Sequence, residues 1–265
     1  MMKRLPLSCE NLNNAELAKI NYFLFNGKIG GTFAVKNGEH DILVTNMPAN
    51  FNTDLNIEKN ANVKLSFFAN NELKDANITI NCAGESQLDI YFADFSKGTS
   101  NLNVNIVLKE EKTRVNWHLA SLTSNNYKKN IIVSVIHEAK QTYAKVDNYG
   151  VCKDNGKVLF AGTSSINNGC VKCETYQNAK IMVFDKDCVA TAKPILKIDE
   201  NDIIANHAAV VGKVNDEHLF YLTSRGLSEE QAKQIITFGY LKPILQGFIE
   251  DEIKDEITAL IEGRM

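Results

Sequence analysis

From about Gly30 to Gly212 apolar and polar residues alternate, the period of two shown by strands with one buried and one wet face. The runs Val63-Leu65-Phe67, Ile78-Ile80-Cys82, Leu88-Ile90-Phe92, Leu102-Val104-Ile106-Leu108, Val115-Trp117-Leu119 and Ile131-Val133-Val135 each keep one parity, and no helical stripe interrupts them. They recur every ~10–16 residues with Asn, Asp, Gly, Ser and Lys between them, the rhythm of short strands joined by turns. That rhythm leaves a sandwich, a barrel and a β-solenoid open. The monotony of the units and the asparagines at their turns favour a solenoid, although no clean repeat is visible. Asn37-Gly38 and Asn155-Gly156 read as tight hairpins, because both residue types accept the positive φ of a type I′ turn.

Near Asn215 the period changes. Asp216 to Ser224 is a short helical candidate stopped at Gly226, and Ser228-Glu229-Glu230-Gln231 has the form of a capping box. The helix it opens carries Ala232, Ile235, Ile236 and Gly239 at i, i+3, i+4 and i+7, and a second stripe runs through Leu245, Phe248, Ile249, Ile253, Ile257 and Leu260. Pro243 separates the two. The pattern divides the chain into an N-terminal segment (1–29), a β core (30–214) and a C-terminal helical domain (215–265), the last too short to own a core and so obliged to pack on the β body, a partner, or both.

A formal charge of −3 over 265 residues offers no general cationic surface for phosphates, which argues against a nucleic-acid binder. The start, Met1 to Cys9, imitates a lipoprotein signal, but its apolar run is far below the ~7–15 residues needed. No stretch approaches the ~18–20 apolar residues of a membrane span, so a cytoplasmic location without membrane is expected. Six cysteines (Cys9, Cys82, Cys152, Cys170, Cys173, Cys188) are too sparse for a disulfide framework, and reduced thiols are the default. Cys170 and Cys173 lie on a strand-like stretch, where residues three apart face opposite ways. They read as one core and one surface cysteine unless a tight turn intervenes at Asn168-Gly169. Trp117 reads as core.

The segment from Asn206-His207-Ala208 through Gly212-Lys213, Asp216-Glu217, Leu219-Phe220-Tyr221 and Ser224-Arg225-Gly226 to the capped helix at Ser228 resembles the C-terminal signature of the SufB/SufD family of iron–sulfur cluster assembly proteins. Phe160-Ala161-Gly162, Cys173 to Asn178 and Pro194 to Ile198 are similar to the family as well; before about residue 130 only the β-rich pattern is shared. The resemblance implies a mainly β fold, a parallel β-helix (β-solenoid) core with a small C-terminal α-helical domain that docks on SufC, an ABC-type ATPase. It implies a scaffold rather than an enzyme, in keeping with the absence of a G-x-x-x-x-G-K-[ST] loop. Many members carry an N-terminal helical domain, for which this chain has almost no room.

Cys188 stands where SufB carries a cysteine important for cluster building, and His207 where the family places a histidine near the junction of paired β bodies; Ala208 follows it where SufB has a glutamate. Thiolate and neutral imidazole are both competent iron ligands, while a buried structural cysteine and a hydrogen-bonded strand-end histidine are the plainer roles. Two ligands cannot complete the usual four of a cluster, so a labile iron–sulfur cluster or iron would sit at a dimer interface, with a SufB/SufD homologue or a second copy as partner, a sulfur donor possible, and no tightly bound cofactor. Contacts to SufC are expected around Arg225, Gly226, Ile235, Ile236 and Phe238. The rival reading is a β-helix carbohydrate lyase or hydrolase, which needs clustered carboxylates; Asp89, Asp94, Glu110 and Glu111 are available, but no spacing brings them together.

Overall fold

The structure, a computed structural model, describes residues 31–264 together with the backbone of 6–7 and 22–26. The lipoprotein-like start and Cys9 lie outside the described residues. Sixteen strands are described: β1 (Pro6–Leu7), β2 (Tyr22–Asn26), β3 (Gly31–Val35), β4 (Gly38–Thr45), β5 (Asn50–Ile57), β6 (Ala61–Ala69), β7 (Asp75–Cys82), β8 (Gln87–Asp94), β9 (Ser100–Leu108), β10 (Arg114–Thr123), β11 (Lys128–His137), β12 (Tyr143–Cys152), β13 (Lys157–Ile166), β14 (Cys173–Val183), β15 (Val189–Ile198) and β16 (Ile203–Lys213). From β4 onward even strands join one sheet and odd strands the other, each strand pairing in parallel with the strand two before it. This is a two-sheeted parallel β-solenoid, the one of the three open architectures that the monotony of the units favoured and the family resemblance implied.

The two Asn-Gly pairs do not make hairpins. Each sits at a solenoid corner, where the chain leaves one sheet for the other, so the strands they join are not hydrogen-bonded neighbours. Positive φ is used at corners all the same. Asn60, Glu85, Lys112, Gln141 and Lys172 are left-handed at the same corner of five successive coils, and each donates its N–H to a carbonyl one coil on: Asn60 to Gly84, Glu85 to Glu111, Lys112 to Lys140, Gln141 to Val171 and Lys172 to Asp202. This backbone ladder offsets the cost of about 1–2 kcal/mol for a non-glycine residue in that region. The five corners are 25, 27, 29 and 31 residues apart, so the coil lengthens by two residues at each step. Strands lengthen in parallel, from 8 residues in β5 to 11 in β16. A constant repeat is absent because the period itself grows.

Inside, alternation fills the lumen with one continuous core. Phe67 stacks on Phe92 with ring centroids 5.4 Å apart, Phe92 on Trp117 at 6.0 Å, and the buried Trp117 donates its indole N–H to Asn148 Oδ1 at 2.9 Å. On the outer face of the odd-strand sheet asparagines climb in register: Asn77 donates to Asn52 (2.7 Å), Asn103 to Asn77 (3.1 Å) and Asn130 to Asn101 (2.8 Å). Each amide thus bonds to its copy one coil away, which accounts for the abundance of asparagine on strands where its propensity is poor.

Three α-helices follow: α1 (Asp216–Ser224), α2 (Glu229–Leu241) and, after a 3₁₀ turn at Lys242–Gly247, α3 (Asp251–Gly263). Leu245 and Phe248, expected in the second helical stripe, fall in and after the 3₁₀ turn begun by Pro243. Their burial is tertiary: with Leu241, Ile244, Ile257 and Ile261 they cover Leu43, Phe68, Ala93, Phe95, Ala120, Leu122 and Val151 on the outer face of the even-strand sheet. Gly247 must be glycine, since a Cβ there would overlap the Tyr91 ring.

Candidate functional site

The last coil, β15 and β16, is the open end of the solenoid. Nothing described pairs with the outer edge of either strand, and Val189, Ile195, Ile204, Val210 and Val211 are all exposed apolar residues along it. Register fixes which side chains point into the lumen, because paired residues in parallel strands share a face. His207 pairs with Gln177, which pairs with Val146, which pairs with Trp117, so His207 heads an inward row that is otherwise buried. Gln177 is held inside by donating to Ser164 Oγ (2.6 Å) and to the Ile195 carbonyl (3.3 Å). His207, the next side chain in the row, is exposed.

Cys188 precedes β15, whose Val189 pairs with Lys157, and packs half-buried against the core beside Ala190 and Ala192. Its Sγ lies 3.5 Å from the Asp154 carbonyl. The Ile195 carbonyl, which accepts from Gln177 of the His207 row, is seven residues further along the strand, so roughly 20 Å of strand separates Cys188 from His207 within one chain. One chain does not bring the two together. Among the described residues no group of three or more His, Cys, Asp or Glu side chains converges as a metal would require.

Two features escaped the sequence. Cys152, at the end of β12, donates its thiol to the Gly156 carbonyl at 3.2 Å, on the same turn whose Asp154 carbonyl lies against Cys188; burial above all pushes the Cys152 thiol upward in pKa. The pair is a coil and a corner apart in sequence, a distance that has no meaning until coil length is known. Cys170 and Cys173 are both buried, contrary to the expectation of one core and one surface residue, because tight turns at Asn168-Gly169 and Val171-Lys172 do intervene. They pack with Ile166 against the last coil, and Cys173 Sγ lies 3.1 Å from Thr142 Oγ1, which is 2.7 Å from His137 Nδ1. Burial pushes His137 down to about 4.

The helical unit presents the other surface. Asn215 caps α1 by accepting from the Glu217 N–H, and Ser228 and Gln231 complete the expected capping box of α2 at 3.1 and 2.9 Å. Helix α1 buries none of its residues; Phe220 is 73 % and Tyr221 56 % exposed, with the Arg225 guanidinium 5.1 Å over the Tyr221 ring. Arg225 and Gly226 are exposed, the latter at φ +95°. The α2 stripe is only half used: Ala232 is buried, Ile236 and Phe238 are half-buried, and Ile235 is 50 % exposed, the buried face having turned toward Thr237 and Leu241. Phe238 packs inward against the helix-covered face of the sheet, with Lys242 over its ring.

The carboxylates a lyase or hydrolase would use are dispersed and engaged. Asp94 is buried against Lys129 at 2.8 Å, Asp89 accepts from Asn116 on the outer face, and Glu110 binds the Gly84 N–H at a corner. No described helix is long and apolar enough to cross a membrane.

Residues 36–240 match the family model described as "SUF system FeS cluster assembly, SufBD core domain". The chain is 32% identical over 136 residues to the iron–sulfur cluster assembly protein SufD of Bacillus subtilis (strain 168), a match covering 51% of this chain and 31% of that protein. It is 26% identical over 115 residues to SufD of Escherichia coli (strain K12), covering 43% and 27%, and 28% identical over 131 residues to a SufBD family protein of Staphylococcus epidermidis (strain ATCC 12228 / FDA PCI 1200), covering 49% and 28%. The matched segments span about a third or less of these relatives' lengths. With the family model matched over most of its length, and with the β-solenoid and helical tail in place, this chain belongs to the SufBD core family of the SUF iron–sulfur cluster assembly system.

Proposed function

We propose that the chain is a cytoplasmic, non-catalytic scaffold on which iron–sulfur clusters are built, and that it works as one half of a pair joined through the open end of its solenoid. The observation that supports this best is the last coil. Solenoids ordinarily end in a polar capping coil, and exposed strand edges are ordinarily blunted. Here, among the described residues, two adjacent edges stay bare beside five exposed apolar residues, and an inward-facing histidine and a half-buried cysteine stand in that same coil. A SufB/SufD homologue or a second copy set against this end would continue both sheets. It would also add ligands near Cys188 and near His207, neither of which completes a shell alone.

The cluster, or iron on its way to one, is cargo in this reading. Cys188 would supply a soft thiolate and His207 an imidazole, each to a site finished by the facing chain, with sulfur from a separate donor. A SufC-type ABC ATPase would dock on the helical unit, where Phe220 and Tyr221 are exposed on α1, a helix that buries none of its residues, and Arg225, Gly226 and the α2 residue Ile235 are exposed after it. Ile236 and Phe238 would support that surface from below.

Anaerobic co-purification with a SufC-type ATPase, followed by native mass and visible absorption after loading with ferrous iron and sulfide, tests both parts. Removing residues after Asn215 should abolish ATPase capture, and Cys188→Ser should cut cluster absorbance several-fold while the pair still forms. Unchanged cluster yield in the Cys188→Ser pair would sink the ligand assignment.

A further inference from the structure

We propose that Cys152 and Cys188 form a peroxide-responsive disulfide, a modification site built into the corner where β12 hands over to β13. Both thiols hang on the same turn, Lys153 to Gly156. Cys152 Sγ donates to the Gly156 carbonyl at 3.2 Å, and Cys188 Sγ lies 3.5 Å from the Asp154 carbonyl two residues earlier. Both sulfurs thus lie against carbonyls of one short turn, and Cys188 packs against the buried cluster that contains Cys152, so a local closing of this corner would bring them to the ~2.0 Å of an S–S bond. The rest of the geometry lets them do so. Cys188 follows an exposed turn through Lys186 and Asp187 and sits at the start of an edge strand with a neighbour on one side only, so the segment can move without breaking a central ladder.

The two cysteines have unequal surroundings, and that fixes the order of events. Cys152 is fully buried, whereas Cys188 is half-exposed, so a peroxide reaches Cys188 first. The Cys188 thiolate attacks one peroxide oxygen; the O–O bond breaks, and the other oxygen leaves as water, giving a sulfenic acid and consuming one peroxide. Cys152 then attacks the Cys188 sulfur, the S–O bond breaks, and the hydroxyl departs as water with the Cys152 proton. Two thiols and one peroxide have become one disulfide and two waters. A thiol reductant restores both groups.

The consequence rests on the proposed function: a disulfide would take Cys188 out of cluster ligation while peroxide is present, and protect it from irreversible oxidation. The test uses the full-length reduced chain without iron, exposed to a small molar excess of hydrogen peroxide, quenched with an alkylating agent and mapped by mass spectrometry. A peptide linking Cys152 to Cys188, lost on treatment with dithiothreitol, is the expected product. In Cys152→Ser, whose hydroxyl can keep the bond to the Gly156 carbonyl, Cys188 should instead advance to the sulfinic acid. A Cys170–Cys173 link alone, or Cys188 reaching the sulfinic acid in the unaltered chain, would overturn the proposal. Cluster loading of the oxidised and re-reduced chain is read separately. Loss and recovery with the disulfide support both ideas, whereas a disulfide that leaves loading unchanged overturns the ligand role of Cys188 and keeps the thiol pair.

Discussion

Trp117 and His207 occupy the same inward row of the same sheet, three coils apart, and their fates are opposite. Trp117 is fully buried, stacked on Phe92 and bonded to Asn148; His207 faces the same lumen with nothing laid over it. Between them the row passes through Val146 to Gln177, from apolar to polar. On the opposite sheet the row that runs Leu102, Ile131, Phe160 ends in Ala192. The middle coils are filled by the chain's own bulk, a glutamine stands one coil from the end, and the last coil is lined by small residues and a histidine. A solenoid can therefore grade its lumen from core to site by changing residue type along one register row, without changing the backbone.

The sharpest way to test the closed half of this contrast is Trp117→Ala. It removes the largest buried side chain and strands the Asn148 oxygen, and should cost about 3–5 kcal/mol by urea unfolding. A loss below about 1 kcal/mol would mean that the middle coils are not the tightly packed region they are taken for here.

Next comes His137, which marks how far the closed core extends toward the open end. It is fully buried with Thr142 on Nδ1, in the corner that holds Cys170 and Cys173, and burial lowers it from 6.5 to about 4. The unfolded chain thus binds more protons between those values. The stabilisation from keeping this ring neutral is fully present above pH 6.5 and is lost as pH falls toward 4, a change of about 3 kcal/mol at most. Urea midpoints across that window should fall less steeply in His137→Gln than in the parent. Parallel slopes would show that the corner admits water and that the closed core stops earlier.

How much of this could be read from the chain follows the same division. Alternation gave the middle strands and placed Trp117 inside, since burial on one face writes itself into every second residue. Ser228 announced α2 because a capping box is local chemistry. The Asn-Gly pairs misled, because a corner between sheets and a hairpin turn make the same demand on φ and differ only in where the next strand goes. Cys170 and Cys173 were placed half wrongly because a tight turn at Val171-Lys172, just after the one at Asn168-Gly169, resets parity between them. The covering of the even-strand sheet left a trace that period-two reading discards. Ser66-Phe67-Phe68-Ala69, Phe92-Ala93-Asp94-Phe95 and Ala120-Ser121-Leu122-Thr123 are buried on both faces and lose alternation where the helices lie over them. His207 and Cys188 were legible only as members of a motif; their exposure depends on register and on which coil is last.

Gly247→Ala probes that covered face with a smaller expected effect. Its methyl would press into the Tyr91 ring, and overpacking of this kind costs about 1–3 kcal/mol. Because the strain falls where the 3₁₀ turn meets the sheet, protease sensitivity should rise in residues 242–264 before it rises in the solenoid. Uniform loosening of the whole chain would mean that helices and coils unfold as one unit.

The smallest effect on stability is expected at the open end, and it separates the two regions most directly. His207→Ala removes an exposed ring with no neighbour in the next coil, so the isolated chain should change by no more than about 0.5 kcal/mol. Val210→Glu should likewise leave folding intact, since Val210 is 55 % exposed. It would bring a carboxylate against any chain that continues the sheet, and should shift the pair toward monomer in analytical ultracentrifugation. If His207→Ala costs as much as a core substitution, the last coil is closed in solution and its bare edges belong to packing; if both variants fold normally while Val210→Glu alone abolishes pairing, the grading of the lumen ends at a surface that a second chain completes.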